Sequence, residues 1–154
     1  MLDSLLKNTK DHNVTVGVLG LGRVGLPLAT MFAIRGIKVI GIDVNDERIQ
    51  SIKNSKCPFY DLPVQEGLEK AIKDGNLTTD KNLEHCGNLI DIMFVTVGTP
   101  TTTDNRVDYS QLFAALNDLC KINLKGKLII LRSTIPPKTT TDIVIPFLES
   151  KTSL

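Results

Sequence analysis

Gly20-Leu21-Gly22-Arg23-Val24-Gly25 stands between a short apolar run, residues 14–19, and a segment where Val24, Leu28, Phe32 and Ala33 recur at helical spacing. A nearly continuous apolar run of that length is the mark of a strand buried on both faces. Strand, glycines and helix in that order leave few folds open. The first glycine permits a tight turn, the second lets the backbone approach a pyrophosphate, and the third lets helix pack closely on strand. The helix offers unpaired N–H groups and a partial positive charge at its amino end, and it should stop near Gly36. Residues 37–42 form a second apolar run that ends at Asp43. An acid there, about 20 residues past the glycines, can accept hydrogen bonds from both adenosine ribose hydroxyls and repels a 2′-phosphate. The pattern predicts a dinucleotide site that favours NAD over NADP, with Arg48 lying over the adenine or in solvent. The competing reading is a bare strand–turn–helix in which Asp43 caps the next helix.

The rest of the chain repeats the alternation. Residues 46–54 read as a short helix carrying Ile49 and Ile52, and 57–63, with two prolines, as a loop. Leu68, Ala71 and Ile72 mark a helix closed by Asp74-Gly75-Asn76, and residues 77–79 a third strand. Residues 90–97 form a fourth strand that ends at Gly98-Thr99-Pro100. A Thr-rich loop through Arg106 leads to a helix with Leu112, Leu116 and Leu119 in register. Residues 127–131 form a fifth strand ending at Ser133-Thr134, and Pro136-Pro137 opens a last helix with Ile143, Val144 and Phe147. Such alternation implies an α/β fold, a Rossmann-like doubly wound parallel sheet with helices on both faces and strand order 3-2-1-4-5-6. Five strands are visible, so the sheet is expected to lack its last one. The expected division is an N-terminal extension over 1–13, with Leu2, Leu5 and Leu6 on a short helical face, and one cofactor-binding domain over 14–154.

The chain has 154 residues, 42% of them hydrophobic, and a formal net charge of +1. That balance gives no electrostatic reason to expect nucleic acid or an anionic membrane as partner. No run of about 18 apolar residues could span a bilayer, and a cytoplasmic protein is expected. Cys57, Cys86 and Cys120 are odd in number and widely spaced, so they read as reduced thiols, not as a disulfide framework or a metal site. Cys57 lacks an identifiable base, Cys120 ends an apolar stripe, His85 sits in a polar connection and His12 in the extension. None is expected to be catalytic. Thr101, Thr102 and Thr103 read as an exposed loop, and Lys121, Lys125 and Lys127 as a solvated face.

Three blocks are more specific than the glycine pattern. Gly20 to Gly25 runs directly into Leu26-Pro27, Val97-Gly98-Thr99-Pro100 follows the fourth strand, and Ser133-Thr134-Ile135-Pro136-Pro137 follows the fifth. In order and spacing they resemble the UDP-glucose/GDP-mannose dehydrogenase family over residues 14–149. The resemblance implies a four-electron oxidation of the C6 hydroxyl of a nucleotide-bound hexose to the uronate, at the expense of two NAD. It also implies that Gly20, Gly22, Arg23, Val24 and Gly25 bind pyrophosphate, with Leu21 inside the same turn. Asp43 and Arg48 would hold the adenosine end, and Thr99 and Thr134 would lie near the nicotinamide.

Departures stand beside the matches. The family's Pro-Pro-Gly reads Pro136-Pro137-Lys138, and its Glu-Pro-Gly-Leu is most nearly matched by Gln65-Glu66-Gly67-Leu68. Its cysteine segment and its lysine and asparagine for hydrolysis have no counterpart. The nucleotide-sugar substrate is therefore expected to bind a C-terminal half outside these residues. The full-length parent is expected to be a homodimer or larger, and these residues alone to turn over nothing. A free-standing NAD-binding regulatory module and a hydroxyacid-type NAD(P) dehydrogenase remain as alternatives.

Overall fold

The computed structural model describes residues 2–11 and 13–152. Its chain order is α1 (Leu2–Lys10), β1 (Thr15–Leu19), α2 (Gly25–Ala33), β2 (Lys38–Ile42), α3 (Asp46–Lys53), α4 (Leu62–Lys73), β3 (Leu77–Asp80), α5 (Leu83–Cys86), β4 (Ile92–Val95), α6 (Ser110–Leu119), β5 (Leu128–Leu131) and α7 (Ile145–Lys151). The strands form one parallel sheet of order β3-β2-β1-β4-β5, so the expected doubly wound order holds over its five members. Two cores follow from the alternation of side chains along parallel strands. Val16, Val18, Ile92 and Ile130 face the layer formed by α2, α3 and α4. Leu19, Met93, Val95 and Leu131 face α5, α6 and α7. No helix among the described residues is long and apolar enough to cross a membrane.

The apolar stripe on α6 is as expected, with Leu112, Leu116 and Leu119 fully buried. On α2 the stripe holds at its end, where Ala33 is buried and Phe32 packs on the first core, but not at its start. Val24 is 51% exposed, and the face against the sheet is Gly25, Leu26, Ala29, Thr30 and Ala33. The extension forms α1, where Leu5 packs on the first core and Leu6 is exposed. Met1 and His12, also assigned to the extension, lie outside the described residues, as do residues 153 and 154.

Several boundaries differ from the sequence reading. The loop starting at Cys57 ends at Asp61, because that side chain accepts from the Val64 N–H and caps α4 with Pro63 in its first turn. A proline is tolerated there because the first N–H groups of a helix have no internal partner. His85 lies on α5, a single turn capped by Asn82, rather than in an irregular connection. β4 is confined to residues 92–95, since the Ile90 N–H closes a 3₁₀ turn onto Gly87. The last helix starts later than Pro136-Pro137. A π turn over Thr140–Val144 runs directly into α7, whose first turn contains Pro146. Lys127 is not part of a solvated face. Its ammonium group donates to the carbonyls of Ile90 and Asn88, and burial pushes its pKa down.

Lys138 occupies the place of the glycine in Pro-Pro-Gly with φ +71°. That left-handed region costs a side chain about 1–2 kcal/mol that glycine does not incur. Lys138→Gly is therefore expected to raise stability by about 0.5–1 kcal/mol after allowing for the freer unfolded chain, read as a higher urea midpoint at unchanged slope.

Candidate dinucleotide site

The site lies at the carboxyl ends of β1, β2, β4 and β5, where an open parallel sheet gathers its loops. Its turn is set by two close approaches. Gly20 has φ +99°, and a Cβ there would meet the Thr96–Val97 backbone at 3.1 Å. A Cβ on Gly25 would come within 1.8 Å of the Gly20 carbonyl oxygen. The buried Thr96 hydroxyl donates to that same carbonyl at 2.7 Å and ties β4 to the turn. Gly22 is different, since a Cβ there meets nothing within 4 Å. The protein itself has no steric need for glycine at that position. No side chain caps α2, whereas α3, α4 and α5 are capped by Asn45, Asp61 and Asn82.

Asp43 ends β2 with only 5% of its surface exposed. Its Oδ2 accepts from the Leu21 N–H at 2.7 Å and from Arg48 Nη1 at 2.8 Å, and its Oδ1 accepts from the Asn45 N–H at 2.9 Å. The carboxylate thus fixes the glycine turn to the end of β2. Arg48 lies on this carboxylate, not in open solvent, because α3 begins two residues after Val44 and aims its first turn back at the strand end. A carboxylate oxygen takes two hydrogen bonds, so Oδ1 keeps one acceptor position free. Helix α3 is capped by Asn45, not by Asp43.

Two adjoining cavities run along this edge. One, of about 340 Å³, is bordered by Gly20, Gly22, Asp43, Val44, Arg48 and the α6 residues Ala114 and Asp118. The other, of about 510 Å³, is bordered by Gly22, Arg23, Val24, Thr99, Arg132 and Thr134. Gly22, Thr96, Val97, Gly98 and Gln111 border both, which makes them one cleft bent over the glycine turn. Thr99 and Thr134 are joined directly, the Thr99 hydroxyl donating to the Thr134 carbonyl at 2.6 Å. Beside them the Ser133 hydroxyl donates to the Val97 carbonyl, and Gln111 Oε1 accepts from the Gly98 N–H. Arg23 lies with its guanidinium carbon 5.4 Å from the centre of the Phe59 ring.

The structure therefore brings eight of the ten expected residues to the cleft. Leu21 and Gly25 border neither cavity. The Leu21 side chain is fully buried against Gly41 and its N–H is held by Asp43, while Gly25 packs on Gly20. Thr96, Gln111, Ser133 and Arg132 also form the cleft but were not expected in it. The signal for Thr96 was a polar residue closing an apolar strand just ahead of Gly98. Ser133 comes with the block after β5, and Gln111 and Arg132 are brought in by topology alone.

The thiols stand apart from this chemistry. Burial pushes the Cys86 thiol up, with Asp80 adding to it, and burial likewise raises Cys120, so neither is an activated thiolate. Cys57 packs against the first core. Among the described residues no group of three or more His, Cys, Asp or Glu could hold a metal ion.

Comparison with known proteins bears on the cleft. The family model described as UDP-glucose/GDP-mannose dehydrogenase family, NAD binding domain, matches residues 14–154. UDP-N-acetyl-D-mannosamine dehydrogenase of Methanococcus aeolicus is 39% identical over 129 residues, covering 82% of this chain and 28% of the relative. UDP-glucose 6-dehydrogenase TuaD of Bacillus subtilis is 33% identical over 125 residues, covering 80% of this chain and 27% of the relative. Among solved structures, a ternary complex of GDP-mannose dehydrogenase from Pseudomonas aeruginosa superposes with TM-score 0.86 at 27% identity, covering 90% of this chain and 33% of that one. The chain spans about three tenths of the length of the curated relatives it matches.

Proposed function

Since the chain belongs to the UDP-glucose/GDP-mannose dehydrogenase family through its NAD-binding domain, we propose that residues 14–154 are the cofactor half of an NAD-dependent UDP-sugar 6-dehydrogenase. In this reading Gly20, Gly22, Arg23, Val24 and Gly25 build the pyrophosphate turn, with Leu21 as the anchor that holds it to Asp43. Asp43 and Arg48 take the adenosine ribose, and Thr99 and Thr134 border the nicotinamide. The bound dinucleotide would supply the hydride acceptor. The protein's part is to hold and orient it.

One observation carries the reading. Gly22 faces open space in the middle of the cleft, so glycine there serves an incoming group and not the fold. The amino end of α2 beside it suits an anion. Asp43 Oδ1 can accept one ribose hydroxyl as it stands, and Arg48 must release Oδ2 for a second to bind. The partly exposed guanidinium is free to move onto the ribose or adenine, and the ribose hydroxyl then takes its place on the buried carboxylate.

The preference for a UDP-sugar rests on the relatives. The UDP-N-acetyl-D-mannosamine dehydrogenases are 33–39% identical to this chain, against 29% for the GDP-mannose enzyme of Pseudomonas syringae. The nucleotide sugar would bind mainly to a region beyond the matched residues, in a cytoplasmic enzyme that is a homodimer or larger. Amide chemical-shift mapping with NAD tests the residue roles. The largest shifts are expected at residues 20–25, Asp43, Arg48, Thr99 and Thr134, and shifts centred elsewhere would sink the assignment. The substrate reading is tested in the longest chain that carries these residues, by NAD reduction with UDP-glucose and UDP-N-acetylhexosamines against GDP-mannose. Faster reduction with GDP-mannose would overturn it.

A further inference from the structure

Arg132 is a cationic residue of the cleft that neither the glycine pattern nor the family blocks account for. Its backbone is fixed, the N–H donating to the Val95 carbonyl at 2.8 Å as the last rung between β4 and β5. Parity along β5 then sets its side. Ile129 and Leu131 pack in the α5–α7 core and Ile130 in the core under α2. Side chains alternate along a strand, so Arg132 falls on the α2 face, one step past Ile130. At the carboxyl end of the sheet, that face holds the amino end of α2. Arg132 accordingly borders the same cavity as Gly22, Arg23 and Val24, from the opposite wall.

The charge balance there is one-sided. Two arginines border that cavity and no carboxylate does. Arg23 is engaged by the Phe59 ring. Arg132 is exposed and has no ion-pair or hydrogen-bond partner for its guanidinium among the described residues. A guanidinium left unpaired across the same cavity from uncapped helix N–H groups suits a diphosphate, which it can take through two parallel hydrogen bonds.

We infer that Arg132 closes the dinucleotide site from the β5 side, binding the pyrophosphate across the cleft from the glycine turn. This rests on the NAD reading above, and the test separates the two. Binding of NAD, ADP-ribose and AMP is measured for the native chain, Arg132→Gln and Arg132→Lys, with urea unfolding of each as the fold control. ADP-ribose keeps the pyrophosphate but lacks nicotinamide, and AMP lacks both. Arg132→Gln is expected to weaken NAD and ADP-ribose by the same factor, roughly tenfold, and to leave AMP unchanged. It should also flatten the salt dependence of NAD binding. Arg132→Lys should recover part of the loss, since a point charge replaces the fork.

Equal binding of all three ligands by native and Arg132→Gln chains overturns the inference and leaves the NAD site standing. An effect on NAD without one on ADP-ribose also overturns it, by placing Arg132 on the nicotinamide. Failure of the native chain to bind NAD overturns both the site and the inference.

Discussion

Gly25→Ala is expected to destabilise the fold by on the order of 3–5 kcal/mol, a large part of the 5–15 kcal/mol that holds a typical domain together. The new methyl would lie 1.8 Å from the Gly20 carbonyl oxygen and 2.5 Å from the Thr96 hydroxyl. Neither atom can give way cheaply. The Gly20 carbonyl belongs to a turn pinned between Asp43 and β4, and the Thr96 hydroxyl donates to it from a buried position. The helix must tilt off β1 or the turn must open, and either exposes Leu26 and Ala29, which are fully buried. Urea unfolding should show a sharply lower midpoint, or no cooperative transition. A midpoint within about 0.5 kcal/mol of the native value, the range of an ordinary surface change, would mean that the turn is far looser than described.

Gly22→Ala, three residues away, is expected to do the opposite. Its methyl meets no atom within 4 Å and its backbone is outside the left-handed region. Stability should stay within about 0.5 kcal/mol of the native value. Binding of NAD should fall by roughly 10- to 100-fold, because the methyl would take the place proposed for the pyrophosphate against the backbone. The pair makes a control for each other, one glycine kept for the fold and one for the ligand. Unchanged NAD binding in a folded Gly22→Ala protein would remove the observation that carries the functional reading.

The contrast between these two glycines is also where the sequence is most and least informative. The string Gly20 to Gly25 between an apolar run and a helical stripe was enough for the strand–turn–helix and, with Asp43, for the kind of ligand. It could not tell which glycine answers to Thr96, 71 residues on from Gly25, because that contact exists only once β4 lies beside β1. Strand order was legible because right-handed crossovers leave few arrangements for an alternating chain. The start of α4 was not, because two prolines near Asp61 look like a loop until the carboxylate is seen capping the helix. α5 is four residues long, too short for any period to register. The pairing of Arg48 with Asp43 is not legible, because a cation in the sequence says nothing of the carboxylate it will meet. Arg132 and Gln111 reach the cleft through the sheet's topology and carry no local signal.

Asp43 is expected to set the selectivity of the NAD site. Calorimetric titration of the native chain with NAD and with NADP, repeated on Asp43→Asn, reads this out. NAD should bind at least tenfold more tightly than NADP, because a buried carboxylate meets the ribose where NADP carries a phosphate. In Asp43→Asn the charge is gone while one acceptor oxygen remains for the turn, so NAD should weaken and the gap to NADP should close. NADP binding as tightly as NAD to the native chain would contradict the account and make Arg48 a phosphate ligand. Binding of neither would contradict it altogether.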